Sequence, residues 1–263
     1  MDLQLTGKRA LVTGASRGLG YATAVCLAQE GCNVVINSRN PASIAQAAET
    51  IAQQTGATIH ALAGNVAEPT FPAQLVQETV EKLGGLDLLV TNTGGPPAGK
   101  FTDFDDAAWH NAVELSLLSH VRLIQAALPY LRQSPAASVL TITSYSVKQP
   151  IANLVLSNSV RAATVGLTKS LALELGAEGI RFNSILPAWT ETERVVELMS
   201  HRAWVNGTSV DEEISRQCKD SPLGRMAKPE EFANAAVFLL SPAASYITGV
   251  MLTVDGGMYK GTL

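Results

Sequence analysis

The chain has 263 residues, of which 46% are apolar and 16% charged, with a formal net charge of −4. This composition excludes an intrinsically disordered chain, and its slightly acidic balance provides no basic field for gripping nucleic acid. No run of about 18 apolar residues marks a membrane span, and three cysteines with four scattered histidines give neither a disulfide framework nor metal-ligand spacing.

In chain order, the segment from Met1 to Lys8 has neither a basic nor an apolar leader pattern, so a cytoplasmic protein is expected. Short apolar runs then alternate with helical stretches. Residues 10–12, 34–36, 86–90, 139–142, 182–186 and 250–254 read as buried strands, short and continuous as parallel strands covered on both faces are. Helical patterns fill the gaps at 19–30, 43–54, 72–83, about 105–132, 157–175 and 229–240, the first three stopped by Gly31, Gly56 and Gly84. The alternation predicts a single α/β domain of the Rossmann type, a doubly wound parallel sheet with helices on both faces. Between Ala188 and Leu223 the strand signal lapses, and Trp189, Met199 and Trp204 stand among charges. An insertion past a strand's C-terminal end is expected to form a substrate lid over 188–223, the alternative being an ordinary surface helical pair.

The first strand runs into Thr13-Gly14-Ala15-Ser16-Arg17-Gly18-Leu19-Gly20, which opens a helix. Glycines at these places allow a sharp turn, close approach of a pyrophosphate, and tight helix–strand packing, while the helix N-terminus offers free N–H groups to the phosphate. Position in a strand–helix–strand unit makes this a dinucleotide-binding turn. The second strand ends Asn37-Ser38-Arg39 and lacks the carboxylate that would hold a ribose diol. Arg17 and Arg39, with the Ser38 hydroxyl, instead suit a 2′-phosphate, so NADP(H) is the expected cofactor.

With these residues the chain resembles the short-chain dehydrogenase/reductases, nearest the ketoacyl-carrier-protein reductases. Thr91-Asn92-Thr93-Gly94, Pro187-Ala188 with Thr192, and Val254-Asp255-Gly256-Gly257 are similar to further family motifs. The resemblance implies a third strand before Asn65-Val66, completing seven strands and touching the adenine. It also implies cofactor contacts at Asn92, Thr93, Gly94, Pro187, Ala188 and Thr192, and a homotetramer.

The family's catalytic Asn, Ser, Tyr and Lys positions fall here on Ser116, Ser144, Ser157 and Arg161, so only the serine is kept. Carbonyl reduction needs a hydride and a proton. A serine hydroxyl is far less acidic than a phenol; Arg161 keeps the positive charge and can hold the cofactor by hydrogen bonds to ribose hydroxyls, but does not release a proton near neutral pH. Ser144 remains able to polarise a carbonyl. One account is an oxidoreductase with a rebuilt proton path, for which Tyr145 and Lys148 are the nearby candidates. A second is a non-catalytic NADP(H)-binding module or sensor, and a third is a dehalogenase-like reaction. The first is preferred. Trp189, Val195, Val196, Met199 and Trp204 suggest a pocket for a small apolar carbonyl or alcohol.

Overall fold

Seven strands form one parallel sheet in the computed structural model, which describes residues 1–262: β1 (Arg9–Val12), β2 (Asn33–Ser38), β3 (Ile59–Ala63), β4 (Leu88–Thr91), β5 (Ser138–Ile142), β6 (Arg181–Pro187) and β7 (Met251–Val254). Their order is β3-β2-β1-β4-β5-β6-β7. The two-residue period of a strand divides the apolar side chains between two cores. Ala10 and Val12 of β1, Val34 and Ile36 of β2, and Leu88 and Val90 of β4 share one cluster. Leu11, Val35 and Leu89, which the pairing aligns across the same three strands, belong to the other.

Helices α1 (Gly18–Gln29), α2 (Pro41–Thr55) and α9 (Pro229–Leu240) cover the first face. Helices α3 (Phe71–Leu83), α5 (Ser119–Leu131) and α6 (Val155–Leu175) cover the second. The helical stretch expected over 105–132 starts at Asp106 as α4 (Asp106–Val113), capped by the Asp105 carboxylate. A π-turn over Glu114–Leu118 joins it to α5. That extra residue in one turn rotates the side chains that follow it, with consequences for Ser116 described below.

The insertion folds as two helices, α7 (Glu193–Asn206) and α8 (Val210–Lys219), and the first residues of α7 line the cleft. Among the described residues no helix is long and apolar enough to cross a membrane.

Asp87, just before β4, is buried, and its carboxylate accepts from Arg9 Nε at 2.9 Å, Arg9 Nη2 at 2.8 Å and Ser134 Oγ at 2.5 Å. Burial alone pushes its pKa up; the Arg9 and Ser134 bonds outweigh this and bring it down to about 2. A carboxyl held below its unfolded value stabilises the fold above that value, and the contribution is lost as pH falls through the folded one. Asp87→Asn is therefore expected to cost about 2 kcal/mol in urea unfolding at pH 7. The difference from the natural chain should shrink between about pH 4 and pH 2; a difference independent of pH would contradict it.

Candidate active site

The sheet order reverses at β1, whose neighbours are β2 on one side and β4 on the other, and a crevice opens where the chains leave in opposite directions. Three bonds hold its rim. Thr13 Oγ1 donates to the Asn92 carbonyl at 2.8 Å, the Asn92 N–H donates to Thr13 Oγ1 at 2.9 Å, and Asn92 Nδ2 donates to the Gly14 carbonyl at 3.0 Å. Asn92 thus ties the turn after β4 to the turn after β1. Gly14 and Gly18 sit at φ +60° and +62°, where side chains are strained.

A cavity of about 550 Å³ fills the crevice. Its walls include Gly14, Ser16, Arg17, Gly18, Leu19, Ser38, Arg39, Asn65, Val66, Asn92, Thr93, Gly94, Pro187, Ala188 and Thr192 from the expected cofactor set, together with Ser144, Tyr145, Ser157 and Arg161. Two expected residues lie outside it. Gly20 packs behind the turn, where a Cβ would stand 2.4 Å from the Gly14 carbonyl oxygen. Ser116 is buried in the π-turn with its Oγ unpartnered, and its carbonyl accepts from Thr164 Oγ1, while Leu115 faces the cavity instead.

The walls fit a nucleotide. Ser38 Oγ, Thr93 Oγ1, Thr143 Oγ1 and Thr190 Oγ1 are buried in them without a hydrogen-bond partner among the described residues, which leaves four hydroxyls along the cavity open to a ligand or to water. A Cβ on Gly94 would meet nothing within 4 Å, so the space over that loop is open. Arg39 is exposed and makes no ion pair among the described residues. Arg17 differs from expectation: its guanidinium turns to α7 and meets Glu197 at 3.2 Å.

Ser144 stands in extended backbone after β5 and caps a short 3-10 turn, its Oγ accepting from the Ser146 N–H at 3.2 Å. Accepting through the oxygen leaves its own hydrogen to be donated into the cavity. Ser157 and Arg161 share one face of α6, four residues apart. Arg161 is only 7% exposed and donates from Nη1 to the Ile142 carbonyl at 3.2 Å and the Thr143 carbonyl at 3.1 Å. Burial, with the like charge of Arg194, pulls its pKa down to about 10, which leaves it a cation at neutral pH. His120, buried behind the site, meets Thr91 Oγ1 through Nδ1 at 2.6 Å; burial and then Arg161 press its pKa down to about 3, so it stays neutral.

Tyr145 lines the cavity but is packed, and burial raises its pKa, with Trp189 and Arg202 opposing. Lys148 is not beside it in the cavity; its ammonium lies 5.1 Å from the Tyr259 ring centroid. The two therefore do not form a phenol–ammonium couple. Of the expected pocket residues, Trp189 and Val195 face the cavity. Met199 is buried behind that wall in one cluster with Trp189, Val195, Met226 and Met258, Val196 opens to a second cavity behind α1, and Trp204 is 82% exposed. α7 meets the cleft with Glu193, Arg194, Val195 and Leu198, one side of its first turn and a half, so Val196 points away from the cavity, Met199 packs in the core and Trp204 faces water. The apolar wall comes instead from Leu115, Ile151, Leu154 and Leu198, and a cation, Arg194, joins it. Arg194 and Leu198 lie four residues apart on one face of α7.

A family model described as enoyl-(acyl carrier protein) reductase matches residues 14–259. The chain is 32% identical to a 3-oxoacyl-[acyl-carrier-protein] reductase of Vibrio cholerae, over 98% of this chain and 99% of that one. Among solved structures, L-sorbose reductase from Gluconobacter frateurii, complexed with NADPH and L-sorbose, superposes with a TM-score of 0.94 at 30% identity, covering 99% of this chain and 100% of that one. A 7α-hydroxysteroid dehydrogenase complexed with NADH and 7-oxo glycochenodeoxycholic acid gives 0.88 at 31%, over 100% and 98%.

Proposed function

The chain belongs to the short-chain dehydrogenase/reductase family, and on that premise we propose that it is an NADP(H)-dependent oxidoreductase acting on a carbonyl/alcohol pair without a tyrosine–lysine couple. The observation that carries this reading is one continuous cavity that joins the glycine turn and Arg39 to Ser144, Ser157 and Arg161. The relatives support a nicotinamide cofactor and carbonyl chemistry: the sorbose reductase structure holds NADPH, and the hydroxysteroid dehydrogenase structure holds NADH with an oxo compound.

The turn from Gly14 to Leu19 would hold the diphosphate at the N-terminus of α1, where unsatisfied N–H groups and the helix dipole favour anions. Arg39 and the unpartnered Ser38 hydroxyl would hold the 2′-phosphate, and Asn65 and Val66 the adenine. Arg17, engaged with Glu197, is the weaker partner. Thr93, Gly94, Pro187, Ala188 and Thr192 would flank the ribose and nicotinamide.

When bound, the nicotinamide supplies or accepts the hydride. Ser144 donates its hydrogen to the carbonyl oxygen and stabilises the charge that develops there. The Arg161 cation, fixed by two backbone carbonyls, lowers the energy of the same negative charge. Tyr145 stays a phenol and Ser157 an alcohol, so the proton that completes the alcohol comes from solvent water passing over these hydroxyls. A site of this kind works slowly, because positioning and electrostatics act without a matched acid.

The cofactor preference has a direct test. Arg39→Ala is expected to weaken NADPH at least about tenfold and NADH by less than about twofold, since only the former brings a second anion to the guanidinium. Equal weakening of both, in fluorescence titration, would contradict the assignment of Arg39 to a 2′-phosphate.

A further inference from the structure

Resting on the oxidoreductase reading, we propose that the carbonyl substrate is an oxo-acid whose carboxylate is bound by Arg194, with the charge of Arg161 behind it.

The cavity is positive in a chain that is not. Four arginines, 17, 39, 161 and 194, and a single glutamate, Glu193, line it, against a formal charge of −4 for the whole sequence. One 2′-phosphate does not account for all of them. Arg39 follows β2 and Arg161 donates to the end of β5, three strand spacings away, or about 14 Å.

Arg161 is the unusual member. A guanidinium this buried is ordinarily paired with an anion. Here it has two backbone carbonyls, both on Nη1, and Nη2 has no partner among the described residues. Nη2 lies 3.9 Å from the point where a Cβ on Gly95 would stand, and Arg194 Nη2 lies 3.5 Å from the same point. Two guanidiniums therefore converge on one spot, and the charge of Arg194 disfavours that of Arg161. Arg194 is only partly neutralised. Its Nη2 donates to the Pro96 carbonyl at 3.1 Å, and its Nη1 is 3.6 Å from a Glu197 carboxylate already engaged by Arg17. An anion placed between the two arginines turns their repulsion into attraction on both sides.

The surroundings select the anion's class. Two converging guanidiniums match the two oxygens of a carboxylate. The hydroxyls of Ser144 and Ser157 stand ready for an oxo group, and Ile151, Leu154 and Leu198 give an apolar wall for the remainder. The diphosphate of the dinucleotide offers the same anionic chemistry, and the experiment separates the two sources.

Protein saturated with NADP+ is titrated calorimetrically with 4-phenyl-2-oxobutanoate and with its methyl ester. The acid is expected to bind at least about tenfold more tightly. Arg194→Gln should erase that preference with NADP+ affinity kept, and added salt should weaken the acid but not the ester in the natural protein. Equal binding of acid and ester overturns the proposal. So does an Arg194→Gln variant that loses NADP+ affinity as much as acid affinity, which would assign the arginine to the diphosphate. If NADP+ itself does not bind, the oxidoreductase reading fails, and the acid–ester comparison on the free protein still decides the anion site.

Discussion

Gly20→Ala is expected to abolish cofactor binding, weakening NADPH by more than about a hundredfold while the sheet still folds. Its Cβ would stand 2.4 Å from the Gly14 carbonyl oxygen and 2.8 Å from Asn92 Nδ2. Neither neighbour is the loose end of a long side chain. The first is backbone, and the second is the amide that ties the two turns together. The first turn of α1 must therefore move away from the Gly14 turn, which carries the N–H groups out of the geometry a diphosphate needs. Overpacking of this kind costs about 1–3 kcal/mol of stability, small beside the binding loss because the displaced atoms are the binding atoms. Gly166→Ala is the control: it lies in α6 with nothing within 4 Å of its Cβ. That change should leave binding unaltered and stabilise by up to about 1 kcal/mol. Titration of both variants with NADPH, beside their thermal unfolding, checks the pair.

Ser144→Ala is the second large effect. Turnover should fall by about 10²–10³ with little change in cofactor affinity, the cost of removing one donor aimed at a developing oxyanion. Some stability goes with it, on the order of 1 kcal/mol, because the hydroxyl also caps the Ser146 N–H. Tyr145→Phe separates this account from a phenol-based one. Burial raises the Tyr145 pKa and no lysine stands beside it to lower it, so loss of its hydroxyl should cost less than about tenfold in turnover. A loss equal to that of Ser144→Ala would make Tyr145 the acid.

The legibility of this chain divides along physical lines. Strands β1, β2, β4, β5 and β6 are buried on both faces, so their sequences are unbroken apolar runs and announce themselves. Strand β3 is an edge strand, half-exposed, and Ile59-His60-Ala61-Leu62-Ala63 has no such run; only the family resemblance placed it. The glycine turn was legible because its residues serve local backbone geometry. The fifteen named residues of the cofactor wall lie at the ends of strands, on the connections that follow them or at the first turn of α1, where chain order fixes location.

Side chains whose direction depends on tertiary packing were not legible. Ser116 lies buried in a π-turn that no residue spacing signals. Met199 and Trp204 looked like pocket residues by type, but the rotation of α7 is set by its packing on α8 and on the Met226 and Met258 cluster. Arg17 looked free for a phosphate and instead meets Glu197, 180 positions along the chain. Arg194 escaped notice for the same reason, since its importance comes from convergence with a residue on a different helix.

The most direct measurement is NADPH consumption over a broad carbonyl panel that includes oxo-acids, with the reduced product identified. It is made on the natural protein, on Ser144→Ala, and on the double variant Ser157→Tyr with Arg161→Lys. The natural protein is expected to bind NADPH and reduce a member of the panel, and Ser144→Ala to lose that reduction. A natural protein that binds NADPH and reduces nothing, beside a double variant that does, would contradict the account: the fold would then be a cofactor-binding module whose proton donor is gone.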